Sequence, residues 1–425
     1  MKKNYLFILS LLLFVSIFSQ EVSTLEWKKD LETLKNRLLE KDYLFYRFSK
    51  NEFQLEIEEL KNRVSVLNLD EIQWNIHKIL SHFKLFDLHL ENVNSIRFPL
   101  ELKVFQDNYY VTSIYKENSY LLGYKLIKIG DFNINEIVNK MKTVFYLPHK
   151  NQIEKTLVKY LNNKSLLRYL NIYKKDTLKF TFKSQDNTIE TINLPVFKDL
   201  DKETLAVIKP RNKLFYQRKN WVWFWKYGIN FGKQVFLKYQ VCSSKEHINK
   251  TLDSLNISEK EYAKAYKLPL QKVYDAKELQ PFLETVVEKF EKKRYKKLII
   301  DLRDNTKGAF LSATELIYRV KKIKRINKKG KLFILTNTNI NAAAIKIILE
   351  FQEKTNALIV GETIFGTKED SNKNSFFTLP NSNFKINYPT ILKQEIKIKP
   401  NIKVEPTFKQ YKNGIDALLQ KVLDY

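Results

Sequence analysis

Apolar residues gather in three short uninterrupted runs, residues 298–300, 332–335 and 357–360. Two longer segments with apolar positions at helical spacing, residues 311–320 and 342–351, lie between them. Runs of Ile, Leu and Val without polar alternation suit strands covered on both faces of a largely parallel sheet. The order predicts strand–helix–strand–helix–strand, the repeating unit of an α/β domain, in which chemistry gathers where the strands end. Two polar turns leave those ends: Arg303-Asp304-Asn305-Thr306-Lys307-Gly308 and Thr336-Asn337-Thr338-Asn339-Ile340-Asn341.

The pattern upstream is different. Leucines at 25, 31, 34, 38 and 39 predict a helix, and residues 53–67 and 70–83 continue the period, with Asp70 as the expected N-cap of the third helix. Residues 97–146 turn strand-rich: 102–105 and 109–114 read as a pair across Gln106-Asp107-Asn108. A helix is expected over 134–141 and another over 157–170, followed by a hairpin of 178–182 with 190–194. Residues 200–212 are charged and broken by Pro210, which suggests a boundary. Beyond it, Trp221, Trp223 and Trp225 recur at period two, on one face of a strand. Residues 280–293 are expected to form the helix feeding the 298–300 strand, and 417–423 a final helix. The predicted organisation is therefore 21–95 helical, 96–200 strand-rich and 213–425 α/β.

The N-terminus changes the picture of where the chain works. Lys2 and Lys3 precede the apolar run 6–18, which ends at Ser19-Gln20-Glu21. A basic start, a run of this length and a small residue at the cut describe a signal peptide over 1–20. The run is short for a permanent span. The expectation is an exported protein, periplasmic or extracellular, with no stable membrane span after cleavage. Cys242 is the single cysteine, so no disulfide can form within the chain. The net charge of +27 comes from lysines scattered along the whole length, and no nucleic-acid motif accompanies it. The five histidines, at 77, 82, 89, 149 and 247, show no ligand spacing, so neither a metal nor another cofactor is expected.

The motifs carry a resemblance. Residues 300–308 (IDLRDNTKG), then Leu335-Thr336-Asn337 leading to an Ala pair, then Val360-Gly361-Glu362, resemble the tail-specific (C-terminal processing) serine protease family. Downstream, Phe377-Thr378-Leu379-Pro380-Asn381-Ser382 is similar to its F-x-LPNS strand, and residues 400–408 (PNIKVEPTF) to its closing PDI-x-V-E-x-T-F. The resemblance implies a ClpP/crotonase-like catalytic-type α/β domain, preceded by a small helical domain and a PDZ-like region. For the PDZ-like region it rests on the Leu121-Leu122-Gly123 to Gly130 stretch, and a peptide edge is implied at Leu121, Leu122 and Gly123. The pentad Phe86-Asp87-Leu88-His89-Leu90 resembles the family's G-D-x-H-T, which makes His89 a vestigial base candidate. The implied partner is a peptide or unfolded protein segment.

The departures from that pattern cluster at the implied catalytic site. The position of the nucleophilic serine falls on Ala342, which has no oxygen to deprotonate. The Gly-Gly oxyanion turn reads Lys307-Gly308, and where members of the family carry a lysine base after V-G-E-x-T-F-G, this chain has Thr367. Residues 339–345 contain no Ser, Thr or Cys, so a shifted register does not restore the nucleophile. The expectation is a protease fold without hydrolysis. Two alternatives stand beside it: a nucleophile relocated to Thr336, Thr338 or Ser312, or an envelope scaffold binding through the tryptophan stripe or the basic surface.

Overall fold

The computed structural model describes residues 22–91, 96–173, 178–197, 202–211, 225–228, 234–239, 241–242, 245–265, 270–274, 295–305, 307–308, 311–368 and 374–425, with isolated positions between 278 and 288. The signal segment, Trp221 and Trp223, and most of the expected 280–293 helix lie outside the described residues. No described helix is long and apolar enough to cross a membrane. The chain forms two compact units.

Among the described residues, the first unit takes in 22–91, 144–146 and 375–388. Its helices Thr24–Leu39, Lys50–Arg63 and Leu69–His82 match the leucine periods closely. The third is capped two residues earlier than the sequence suggests. Asn68, not Asp70, accepts from the Glu71 amide, while the Glu71 carboxylate bonds back to the Asn68 amide. That reciprocal box satisfies two end donors at once and leaves Asp70 in the first turn, where a negative charge also suits the helix dipole. Phe48, Phe53 and Phe83 pack edge to face with centroids 5.1–6.2 Å apart. Strand Lys385–Pro389 pairs with His89–Leu90 and with Asn374–Thr378, so a segment almost three hundred residues downstream completes this unit. The buried Asp30 carboxylate anchors that segment: it accepts from the Asn381 amide (2.9 Å) and carboxamide (2.8 Å) and from the Ser382 amide (2.7 Å). The Pro380-Asn381-Ser382 motif is thus a docking turn.

Among the described residues the second unit holds two large sheets and two small two-stranded ones. The first orders its strands 402–403, 358–361, 332–336, 297–301, 234–239, 225–228; all neighbours run parallel except the last pair. Leu298, Ile300, Leu332, Ile334 and Ile359 face the helices Leu311–Lys322 and Ala342–Lys354. Ile299, Phe333, Leu335, Leu358 and Val360 face the terminal helix Ala417–Leu423. Both faces are covered, which is why these strands lack polar alternation.

The second sheet is antiparallel, built on the order 100–105, 108–115, 125–129, 179–183, 189–193. The expected 157–170 helix is instead two, Lys150–Tyr160 and Lys164–Tyr169. Asn162 donates to the Leu100 carbonyl (2.7 Å), and Asn163 caps the second helix at the Leu166 amide (2.8 Å). Two adjacent asparagines committed to outside partners and a new cap cannot also continue one helix.

Candidate functional site

Both polar turns lie at the C-terminal ends of the central strands, and they are tied to each other. The Asn337 and Asn339 carboxamides donate to Asp304 Oδ1 (3.0 and 3.1 Å), and the Asp304 amide returns a bond to Asn337 Oδ1 (3.2 Å). The Asn341 amide donates to the Asn305 carbonyl (2.9 Å). Asp304 itself adopts φ +58°, a conformation that Asp and Asn tolerate best among residues with a side chain. Asn341 then caps the next helix by accepting from the Ala344 amide (2.9 Å). The asparagines of this turn therefore have structural duties.

Ala342 is the first residue of that capped helix and is half-buried, while Ala343 and Ala344 are fully packed against the sheet. A hydroxyl here would stand at the positive end of a helix dipole; a methyl offers nothing to activate. Lys307-Gly308, where the resemblance implied an oxyanion turn, forms a short parallel pairing with Val241-Cys242, so its backbone runs as strand.

Glu362 follows Gly361, whose φ is +142° and where an added Cβ would stand 2.1 Å from the Thr336 carbonyl oxygen. Only glycine fits there, and the close approach it allows sets the chain to deliver Glu362 beside the turn. Glu362 lines two adjoining cavities of about 430 and 170 Å³ together with Val104, Phe105, Glu154, Arg303, Pro406 and Leu418. Thr338 and Asn339 border the larger, and Lys150, Thr336, Asn337 and Glu405 the smaller. Burial pushes the Glu154 carboxyl up to about 7, opposed by Lys150 and reinforced by Glu362. Burial raises Glu362 as well, with the Glu405 charge adding to it. These carboxylates share one partly desolvated space, where each charge makes the next harder to form. Glu154 carried no sequence signal for this role, and Glu405 was visible only as part of the 400–408 motif. Glu154 sits in an amphipathic helix like many others, and only folding brings it opposite Glu362.

The remaining expected positions belong to other elements. Thr367 ends strand Ile364–Thr367, paired with Glu395–Ile398. His89 belongs to the first unit, exposed in a strand whose partner at that position is Asn387. Leu121, Leu122 and Gly123 do not form a peptide edge. Leu121 is fully buried, the Gly123 amide bonds the Val111 carbonyl (2.9 Å), and Phe408 lies 3.2 Å from where a Gly123 Cβ would be. The strand that follows, Lys125–Ile129, has Lys179–Lys183 along one side, and Tyr110 and Phe132–Asn133 at its two ends on the other. Ile189–Asn193, at one end of the strand order, has no buried residue among its five. Among the described residues no group of His, Cys, Asp and Glu is arranged to hold a metal ion.

No protein-family model matches the chain, and no similar sequence was found among curated proteins. Solved structures do match. Mature CPAF complexed with lactacystin aligns over 94% of this chain and 97% of its own, at 10% identity and a TM-score of 0.54. A serine-to-alanine mutant of CPAF aligns over 94% and 96%, at 9% identity and a TM-score of 0.57. A photosystem II D1 C-terminal processing protease aligns over 92% of this chain at 11% identity, with a TM-score of only 0.32. At these identities the likeness to CPAF is one of fold. The chain is a mixed α/β protein that shares the CPAF fold over nearly its whole length.

Proposed function

We propose that this chain is an exported, tail-specific-peptidase-like pseudoprotease that holds a peptide or unfolded protein segment without cutting it. The observation that carries the reading is Ala342 in the first turn of the capped helix Ala342–Lys354, at the position where the resemblance expects a nucleophile. Acyl transfer needs a hydroxyl or thiol beside a base, and a methyl supplies neither a lone pair nor a proton. The larger cavity, bordered by Thr338 and Asn339 of the turn that leads into this helix, supports the binding half of the reading: apolar Leu102, Val104 and Phe105 stand among charged groups, in a volume fit for a few side chains.

A relocated nucleophile is less well supported. Thr336 is fully buried and its hydroxyl lies 3.5 Å from the Asn337 carbonyl oxygen. The Thr338 carbonyl accepts from Lys155 Nζ, which ties down that part of the turn.

The test pairs a fluorophosphonate probe with a library of fluorogenic peptides on the purified protein. Peptide capture with neither adduct nor turnover is expected. An adduct on Thr336, Thr338 or Ser312, or cleavage blocked by a serine-hydrolase inhibitor, would overturn the reading.

A further inference from the structure

The strand Leu332–Thr336 begins at the end of the sheet opposite the cavities, and the turn that feeds it is the most basic part of the described chain. Between residues 321 and 331 stand Lys321, Lys322, Lys324, Arg325, Lys328, Lys329 and Lys331, seven cations in eleven residues with no acid among them. Over the whole chain Lys and Arg number 74 of 425, so this stretch is not explained by overall lysine richness. Two of the seven close a helix, where cations suit the dipole; five lie beyond it, where that reason lapses.

The turn is built rather than loose. Ile326 is fully buried and Ile323 packs on the same core. The Asn327 amide bonds the Ile323 carbonyl (2.9 Å), and Asn356 holds Asn327 through the Asn327 carboxamide oxygen (2.7 Å) and carbonyl (3.0 Å). With the isoleucines pinned inside, Lys321, Lys322, Lys324, Arg325, Lys328 and Lys329 are all exposed. The neighbouring Arg319 has Glu315 as its partner (2.7 Å), so the acid nearest in sequence is already engaged. Tyr318, half-exposed beside the patch, carries Lys322 Nζ 3.9 Å from its ring centre.

We infer that the 321–331 turn is an electrostatic docking platform for an anionic lipid surface, turning the cavity end of the sheet away from the bilayer. Like charges crowded on a rigid turn repel one another, and an anionic plane relieves all of them together. Six of the seven cations are lysines, compact point charges that suit a diffuse field; discrete phosphate recognition would favour the guanidinium fork. The cations sit on a helix end and a turn, and neither cavity reaches them, so a flat partner fits better than a threaded strand. An exposed tyrosine beside lysines suits a membrane interface.

The experiment compares the full chain with Lys321→Gln, Lys324→Gln, Arg325→Gln, Lys328→Gln and Lys329→Gln combined. The control removes five exposed lysines elsewhere: Lys28, Lys29, Lys116, Lys142 and Lys179, each to Gln. Co-sedimentation is measured with phosphatidylglycerol-containing and pure phosphatidylcholine vesicles at about 0.15 M salt. The apolar run 6–18 is common to all three proteins, so only differences are read. The platform variant is expected to lose roughly tenfold or more in binding to the anionic vesicles, with unchanged thermal unfolding, and the control about twofold or less. Equal losses in both variants would reduce the effect to net charge and sink the proposal. Heparin or duplex DNA captured by the wild type in preference to anionic vesicles would also sink it, assigning the turn to a linear polyanion.

Discussion

Arg303 and Asp416, 113 residues apart, are joined by two hydrogen bonds, Nη1 to Oδ1 (2.7 Å) and Nη2 to Oδ2 (2.8 Å). The same guanidinium grips Asp301 through Nε and Nη2, both at 2.8 Å. All three side chains are almost wholly shielded from water. Asp416 also caps the terminal helix at the Leu419 amide (3.1 Å). The Asp301-Leu302-Arg303 and Asn413-Gly414-Ile415-Asp416 motifs are thus two halves of one clamp that fastens the last helix to the end of the sheet. The desolvation of the guanidinium is offset by two carboxylates, which hold it firmly protonated.

Removing the cation leaves two buried carboxylates facing each other. Arg303→Ala is therefore expected to destabilise the second unit by about 3–5 kcal/mol. Adding Asp416→Ala to it should cost less than the sum of the single changes, since the partners act as one group. Calorimetric unfolding of both single variants and the double variant checks this; strict additivity would mean that the clamp is not cooperative.

Restoring one oxygen should not restore the reaction. Ala342→Ser alone is expected to give no measurable peptide hydrolysis, because the turn that would hold the oxyanion still carries Lys307. Ala342→Ser with Lys307→Gly is expected to give slow but measurable turnover of a fluorogenic peptide. Full activity from the single change would show that the turn was never impaired.

Glu154 makes stability depend on pH. Its carboxyl titrates near 7 in the fold against 4.5 in the unfolded chain. Protonated in both states at low pH, it contributes its full favourable term there. That term is lost as pH rises from 4.5 through 7, because the folded protein must then ionise a shielded group. Glu154→Gln should raise the melting temperature at pH 8, by up to ~3 kcal/mol in stability, and change little at pH 4. A Tm-against-pH series on both proteins decides it; parallel curves would remove Glu154 as the cause.

Asp30 anchors a strand that the sequence alone would place elsewhere. Asp30→Ala takes away three charge-assisted bonds and strands the Asn381 and Ser382 amides, at an expected cost of about 2–4 kcal/mol. Hydrogen exchange should rise across residues 375–388 and leave the 297–336 strands protected. A uniform rise throughout the chain would argue against a local anchor.

Much of the architecture was legible in the residues. The strands at 298–300 and 332–335 were visible because burial on both faces demands unbroken Ile, Leu and Phe. The helices over 134–141 and 417–423 were visible because their periods and polar starts agree. Ala342 is likewise a matter of covalent chemistry, and no packing can put an oxygen on a methyl. Other features depend on partners far away in the chain. Asn162 and Asn163 break a helix because Leu100 and a fresh turn compete for them. Leu121 to Gly123 are filled by packing, Phe408 among the neighbours, and the segment 375–388 leaves the α/β domain for Asp30. The Glu154–Glu362–Glu405 cavity exists only once a helix of one sheet layer faces a strand end of the other. Local pattern reports which face of an element must be dry, but a carboxyl's ionisation and a pocket's walls depend on which distant segment comes to rest against it.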